Sequence, residues 1–413
     1  MFLIKINKIK TLKSTLFLLA FLFFGCTFTA FATEPTEGAD EENPVDVMIH
    51  HICDANEFHI VGDFSIPLPC IAWSEDGLMF TLSSSFEHGH MAVDGYVLDH
   101  GVLKKIIGDD FPKGTVAVSF VHAADDHHSN EHIHSDSSHE SSKNEEHVTL
   151  VKYGDTTYEL EPSKALQSMS ASWYDFSITK NIFSMLLVFL MLLFVFSKIS
   201  KAYTKRENQA PKGLQSLMEP LILFMRDDVV KPAIGEKWKK FFPFIMCLFF
   251  FILFCNLLGL IPFFPGSANI TGNIGVTFVL AMFVFVLVTI NGKKDYWQHI
   301  FWMPGVPVAI KPVMTIIEVM GMFIKPATLF IRLFANITAG HIVILSLVSL
   351  IFFFNMSFGT AGAGVAIGFA LPFTFALNLM ELFIAFLQAF VFALLAAIYI
   401  GTALEEHHHE EAH

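Results

Sequence analysis

The chain has 413 residues, 53% of them hydrophobic and 46 of them Phe, with only 16% charged and a net charge of −13. So acidic and apolar a chain excludes a nucleic-acid binder held by phosphate contacts. No Gly-rich phosphate loop with its lysine occurs, which excludes ATP chemistry on this chain. The averages hide two regions. Residues 33–164 hold 26 of the 39 acidic but 6 of the 26 basic residues, a net of −20, whereas the remainder is net +7. That shift marks a boundary between an acidic soluble part and a membrane part.

Residues 1–32 read as a secretory signal. Lys5, Lys8, Lys10 and Lys13 form its basic region, Leu16 to Phe24 its apolar core, and Ala30-Phe31-Ala32 a small-x-small cleavage site. The alternatives are an uncleaved first membrane helix and a lipid modification at Gly25-Cys26. Export places residues 33–170 on the outer side of the membrane, where disulfides persist. Cys53 and Cys70 are then candidates for a bridge, with two separate thiols as the alternative.

This outer domain reads as small and β-rich. Strand-like runs occur at Phe58 to Val61, Leu78 to Leu82 and Thr115 to Val121, and Val148 to Leu160 reads as a hairpin around Gly154-Asp155. Between its last strands lie His122, His127, His128, His132, His134, His139 and His147, with a further group at His407, His408 and His409. Such tracts can bind metal loosely, but no pair has the spacing and surroundings of a closed zinc site. No metal ligand is assigned.

From 171 onward the pattern is that of an all-α polytopic membrane protein. Ile182 to Phe196 is a first span. Residues 198–240 follow with ten Lys/Arg against five acids, which the positive-inside rule puts in the cytoplasm. Within them Leu214 to Val230 reads as an amphipathic surface helix. Phe241 to Ile261 and Val276 to Ile290 are the second and third spans. Pro326 to Phe354 and Pro372 to Ile400 are two 29-residue helices. Each is about 43 Å long, against a bilayer core of about 30 Å, so both must tilt strongly. The Gly-rich run Gly359 to Gly364 is the expected turn of an antiparallel hairpin. The sum is about five membrane helices plus the surface helix, the last two long and tilted.

Ionisable and amide side chains inside these last helices stand out. Arg332 lies deep in an apolar run, where a guanidinium costs about 3 to 15 kcal/mol and cannot escape by losing its proton. In an antiparallel hairpin, residues sharing a midpoint lie level. Arg332 and Gln388 share 360, and His341 and Glu381 share 361. Asn336 lies one turn beyond Arg332 on the same face. His341, nine residues on, falls on the opposite face of an ideal helix. A carboxylate and an imidazole at one level in lipid read as a proton relay; a merely structural polar pair is the alternative. Glu318 belongs either to the same aqueous path or to a cytoplasm-side anchor.

Three local patterns together resemble a known family. They are Asn256-Leu-Leu-Gly-Leu-Ile-Pro262 with Ala268-Asn-Ile-Thr271; Lys325-Pro326 with Arg332-Leu-Phe-Ala-Asn336 and Ala339-Gly340; and Glu381 with Gln388-Ala-Phe-Val-Phe392, Tyr399 and Glu405-Glu406-His407. In that order and spacing they resemble subunit a of the F-type rotary ATP synthase membrane sector. The resemblance covers about Phe241 to Glu406. One departure stands out: some bacterial relatives carry the acid in the arginine helix and the histidine in the last one, and here His341 and Glu381 exchange those places. The resemblance implies a non-catalytic stator subunit without cofactor. It also implies two proton half-channels leading to carboxylates of a c-ring, with b-type peripheral stalk subunits, and indirectly the F1 sector, as partners. The residues implied in proton translocation are Arg332, His341, Glu381, Gln388, Asn336 and Glu318. The implied location is a bacterial inner membrane, multi-pass, with a periplasmic N-terminal domain and a cytoplasmic C-terminus. A rival reading is a stand-alone secondary transporter whose Arg332 binds an anion. Another makes the outer domain primary, as a metal-binding or adhesive module.

Overall fold

The computed structural model describes residues 54–405 apart from 62–63, 76, 100, 109, 123–148, 155, 164–170, 206–208, 262–265, 267 and 304–306. The expected signal sequence, Cys53, the histidines from His127 to His147 and His407 to His409 lie outside the described residues. Contacts divide the chain into two compact units, Asp54–Phe183 and the part beginning at Ser184.

The first unit is built of strands. Chain order runs β1 (Glu57–Val61), β2 (Phe64–Pro67), β3 (Pro69–Ser74), β4 (Gly77–Leu82), β5 (Met91–Val93), β6 (Tyr96–Asp99) and β7 (Val102–Ile107). It continues with β8 (Thr115–Ala117), β9 (Ser119–His122), β10 (Thr149–Tyr153), β11 (Thr156–Glu161) and β12 (Trp173–Asp175). β1 and β2 form a hairpin, a three-stranded sheet has the order β12-β3-β4, and a seven-stranded sheet runs β8-β5-β6-β7-β11-β10-β9. The hairpin expected around Gly154-Asp155 is β10–β11, with Gly154 at φ +61, a conformation glycine adopts without strain.

The two larger sheets share a core because each presents an apolar face. Cys70, Ala72, Met79 and Trp173 from the small sheet pack with Val93, Tyr96, Leu98 and Leu103 from the large one. The Trp173 ring meets Tyr96 edge-on at 5.2 Å, and its indole N–H donates to the Glu161 carbonyl at 3.3 Å. Cys70 is a free, fully buried thiol in this core. Burial first, then the charges of Asp175 and Glu57, push it up to about 12. Beyond β12 the chain continues beside β3, Phe176 N–H donating to the Ile71 carbonyl at 2.8 Å and Ile178 N–H to the Pro69 carbonyl at 3.0 Å.

Helices make the second unit. α1 (Lys180–Lys205) is followed by α2 (Leu214–Phe224), a π-helical turn (Met225–Val230), α3 (Lys231–Ile234), α4 (Trp238–Gly259), α5 (Ile274–Asn291), α6 (Lys294–Phe301) and α7 (Lys311–Leu404). Among the described residues, five stretches are long and apolar enough to cross a membrane: Lys180–Lys205, Leu214–Gly259, Ile274–Asn291, Lys311–Thr360 and Gly364–Leu404. The segment read as a surface helix, α2 with the π turn, buries Met225, Val229 and Val230 in the same core as Ile245, Phe249, Phe250 and Ile252 of α4. Asn273 caps α5, its side chain accepting the Gly275 N–H at 2.9 Å.

α7 reverses on itself, and its extent differs from the expectation. Pro326 and Pro372 do not begin the two arms; they lie inside them. The run 359–364 is not a loop either. Only Gly359 leaves helical conformation, at φ +66 and ψ −162. The physical reason is the solvent. In hydrocarbon each backbone group must be satisfied internally, so a loop is costly and a helix persists through residues that end it in water. The arms, Lys311–Thr360 and Gly364–Leu404, are 50 and 41 residues long. Both are about twice the bilayer core in length, which forces them to run obliquely. Near the bend Ile351 packs on Ala366 and Ala370.

Candidate functional site

The site lies where the two arms of α7 run against each other and against α4 and α5. Leu329, Leu333 and Ile337 recur at helical spacing and are buried, turning one side of the first arm into the bundle. The second arm answers with small residues. Ala385, Ala389, Ala393, Ala396 and Ala397 are fully buried, which lets neighbouring backbones approach closely. The limit is reached at Gly401, where a Cβ would overlap the Ala233 carbonyl.

That packing divides the polar residues into two sets. Arg332 and Asn336, one turn apart, lie on the exposed side of the first arm. Among the described residues, no side chain hydrogen bonds or pairs with Arg332. Glu381 and Gln388 face inward and are buried. Arg332 and Gln388, level by midpoint, are thus not bonded to each other.

Glu381 and the neighbour of His341 do meet. A Cβ added at Gly340 would fall 2.6 Å from Glu381 Oε1, so the carboxyl occupies the space that a side chain at 340 would need. The His341 side chain itself lies outside the described residues. Three buried polar atoms of the two arms have no partner among the described residues: Glu381 Oε1 at this point, Thr338 Oγ1 two residues before Gly340, and Thr374 Oγ1 two turns before Glu381.

A network outside the expected set holds the second arm in register. Asn256, near the end of α4, donates through Nδ2 to the Ala385 carbonyl at 3.0 Å and accepts from Thr271 Oγ1 at 2.7 Å. Ala385 lies between Glu381 and Gln388, one turn from each. The signal for Asn256 was present in the sequence, as an amide inside an apolar span, but its partner is a backbone carbonyl that no side-chain pattern reveals.

Towards the other end of the arms the polar groups gather differently. Lys325 Nζ lies 5.9 Å from the Tyr399 ring centre, Thr328 hydrogen bonds the Tyr399 side chain, and Arg332 lies within electrostatic reach of it. A cavity of about 20 Å³, enough for one water, is lined by Val288, Tyr296, Lys325, Leu329, Tyr399 and Thr402. Glu318, half-buried in the first arm, acts on the same place. Burial, then the charge of Glu318, pushes the Tyr296 phenol up. Lys293 N–H donates to the Ala403 carbonyl at 3.1 Å, and Lys240 Nζ reaches Asn291 Oδ1 at 3.1 Å, so lysines collect at this end.

With this geometry in hand, comparison with known proteins is decisive. Residues 182–401 match the family model described as ATP synthase A chain. The chain belongs to that family. It is 37% identical to ATP synthase subunit a 2 of Prosthecochloris aestuarii over 73% of this chain and 92% of the relative. It is 41% identical to ATP synthase subunit a 2 of Chlorobaculum tepidum over 62% of this chain and 72% of the relative. With ATP synthase subunit a of Myxococcus xanthus the identity is 39%, over 58% and 77%. Residues 47–126 match a second model, described only as a domain of unknown function. The chain is therefore a non-catalytic, proton-channel subunit of the Fo sector, a multi-pass membrane protein and a member of the ATP synthase complex that includes the c-ring. The rival reading as a stand-alone transporter has no support among these relatives.

Proposed function

We propose that protons reach and leave the c-ring through two half-channels on either side of Arg332. The outer half-channel runs past Glu381, whose carboxyl packs on Gly340, with His341 as its imidazole partner and the buried hydroxyls of Thr338 and Thr374 further along the same arms. The inner one runs past Tyr399, Lys325 and the small cavity towards Tyr296 and Glu318. Along the first arm Arg332 and Gly340 are separated by about 12 Å, and Arg332 and Glu318 by about 21 Å, so the arginine lies between the two.

The observation that carries this reading is an exposed guanidinium, unbonded among the described residues and flanked by Asn336, on a helix long and apolar enough to cross a membrane. A charge there requires a partner, and the open face of Arg332 is the side from which a ring carboxylate would arrive. The fixed positive charge favours the ionised carboxylate, so a passing carboxyl gives up its proton there. The same charge repels a proton crossing directly from one half-channel to the other. Gln388, buried in the second arm one turn beyond Ala385, lies level with Arg332 by midpoint and is a candidate for holding the guanidinium in place.

Orientation follows from charge. The lysine-rich end with Lys237, Lys239, Lys240, Lys293 and Lys294 is cytoplasmic by the positive-inside rule, which makes the Gly359 bend and the β unit periplasmic. The charged α2–α3 region is the natural contact for b-type stalk helices, and F1 is reached only through other subunits. Inverted vesicles carrying the complex test the central claim. Arg332→Ala is expected to abolish both ATP-driven proton pumping and proton-driven synthesis, and full coupled pumping by that variant would overturn the mechanism.

A further inference from the structure

The three-stranded sheet has a second face, opposite the one that packs on Tyr96 and Leu98. Its register places nine residues there in three rows. Tyr174 pairs with Trp73 and Trp73 with Leu78; Ile71 pairs with Phe80; Pro69 pairs with Leu82. The hydrogen bonds of Phe176 to Ile71 and of Ile178 to Pro69 extend the same antiparallel register, completing the second and third rows. All nine side chains are apolar or aromatic. Trp73 is 54% exposed, Phe80 68% and Phe176 57%. Trp73 stacks on Tyr174 with centroids 6.0 Å apart, and Tyr174 on Phe176 at 6.4 Å. Four aromatic side chains of 150–250 Å² each, about half exposed, present roughly 400 Å², the size of the largest apolar patch on a typical soluble protein, which is often functional. Exposed Glu75 and Ser172 bound the patch at one end.

The chain leads directly from this patch into the membrane. Ile178, in the last row, is two residues before Lys180, where α1 begins. The first turn of α1 belongs to the β unit and is fixed to it. Lys180 N–H donates to the Ala55 carbonyl at 2.8 Å, Asn181 N–H to Asp54 Oδ1 at 3.2 Å, and Phe183 meets Phe58 edge-on at 5.5 Å. The first residues of α1 and the aromatic grid therefore belong to the same compact unit. Along the chain the three rows precede Lys180 by six, four and two residues. Trp and Tyr are the residues that settle at headgroup level, and the grid mixes them with Phe, Leu and Ile.

We propose that this face of the β12-β3-β4 sheet rests in the headgroup region of the bilayer, anchoring the domain to lipid beside the first span. The contact is apolar, and the domain is strongly acidic, so it does not depend on anionic lipid and is insensitive to salt.

The test uses the full chain reconstituted in phosphatidylcholine vesicles, with or without acyl chains brominated near the headgroup end. The Trp73 signal is the difference in emission between the native chain and Trp73→Phe. It is expected to lose roughly half its intensity in brominated vesicles, as an indole at headgroup level must, and to be little affected by aqueous acrylamide. Quenching by acrylamide and not by bromolipid would mean an open, solvated face and would overturn the proposal. Protection from both quenchers would mean a protein cover, a second copy or another segment of the chain, and would overturn it equally. Phe80→Trp in the Trp73→Phe background repeats the measurement from the neighbouring row, so that loss of fold in one variant does not decide the outcome.

Discussion

Arg332 and Glu381 meet opposite conditions within one helical hairpin. The arginine looks outward with no hydrogen-bond partner among the described residues, whereas the carboxyl is packed against the bare backbone of Gly340. A methyl group at 340 has only the far end of a flexible side chain to displace. Gly340→Ala is therefore expected to leave the complex assembled while moving the Glu381 carboxyl, slowing ATP-driven proton pumping by about the tenfold that a 1.4 kcal/mol change in a barrier produces. Quenching of a pH-sensitive dye in vesicles reads the rate, and complex yield reads the assembly. A second prediction concerns the exchanged pair. If His341 and Glu381 act together, the double change His341→Glu with Glu381→His loses less pumping than the two single losses combined, whereas strictly additive losses would separate the residues.

At the scale of elements, the hairpin depends on one glycine. Gly359 occupies φ +66, ψ −162, a region open essentially to glycine alone. Gly359→Ala is expected to cost about 1–3 kcal/mol, read as a lower thermal midpoint of the purified subunit in detergent. Asn256→Ala should cost a similar ~1–3 kcal/mol, because it leaves the Thr271 hydroxyl buried without its acceptor and the Ala385 carbonyl without its donor. Its signature differs, since pumping falls with the register of the second arm while the bend is untouched. These elements also mark what sequence reveals and what it hides. The spans are legible because an apolar run of span length has few other uses. Arg332, Glu381 and Gln388 are legible because a polar group in such a run is expensive. The limits of the hairpin arms are not, since proline and clustered glycine were read by rules that hold in water. β12 is three residues long and pairs across about a hundred residues with β3, and β6 is buried on both faces, so neither shows alternation. The Asn256 tether ends on a carbonyl, which carries no residue identity at all.

The molecule as a whole joins a membrane machine part to a domain with its own core. In that core Cys70 holds its proton, its thiol pushed up to about 12. Maleimide at pH 8 is accordingly expected to leave Cys70 unmodified in the native chain and to modify it after denaturation, with mass spectrometry of the peptide as the readout. The linkage has a definite sign. The folded state holds this proton more tightly than the unfolded state, so its contribution is present below the ordinary thiol value of 9 and is lost as pH climbs towards 12. Deleting residues 123–146 is expected to leave ATP synthesis intact, because that stretch falls in sequence between β9 and β10 and contains none of the residues assigned to the proton path.

The clasp at the foot of α1 has one more implication. Asp54 and Ala55, at the start of the β unit, are bonded to Asn181 and Lys180 at its end. The unit leaves the main line of the chain and returns to the point of departure, as a closed detour does. Such a module is removable without rerouting the spans beyond it. Because the two ends of the unit meet, the outer domain is separable from the spans that carry the rotary function.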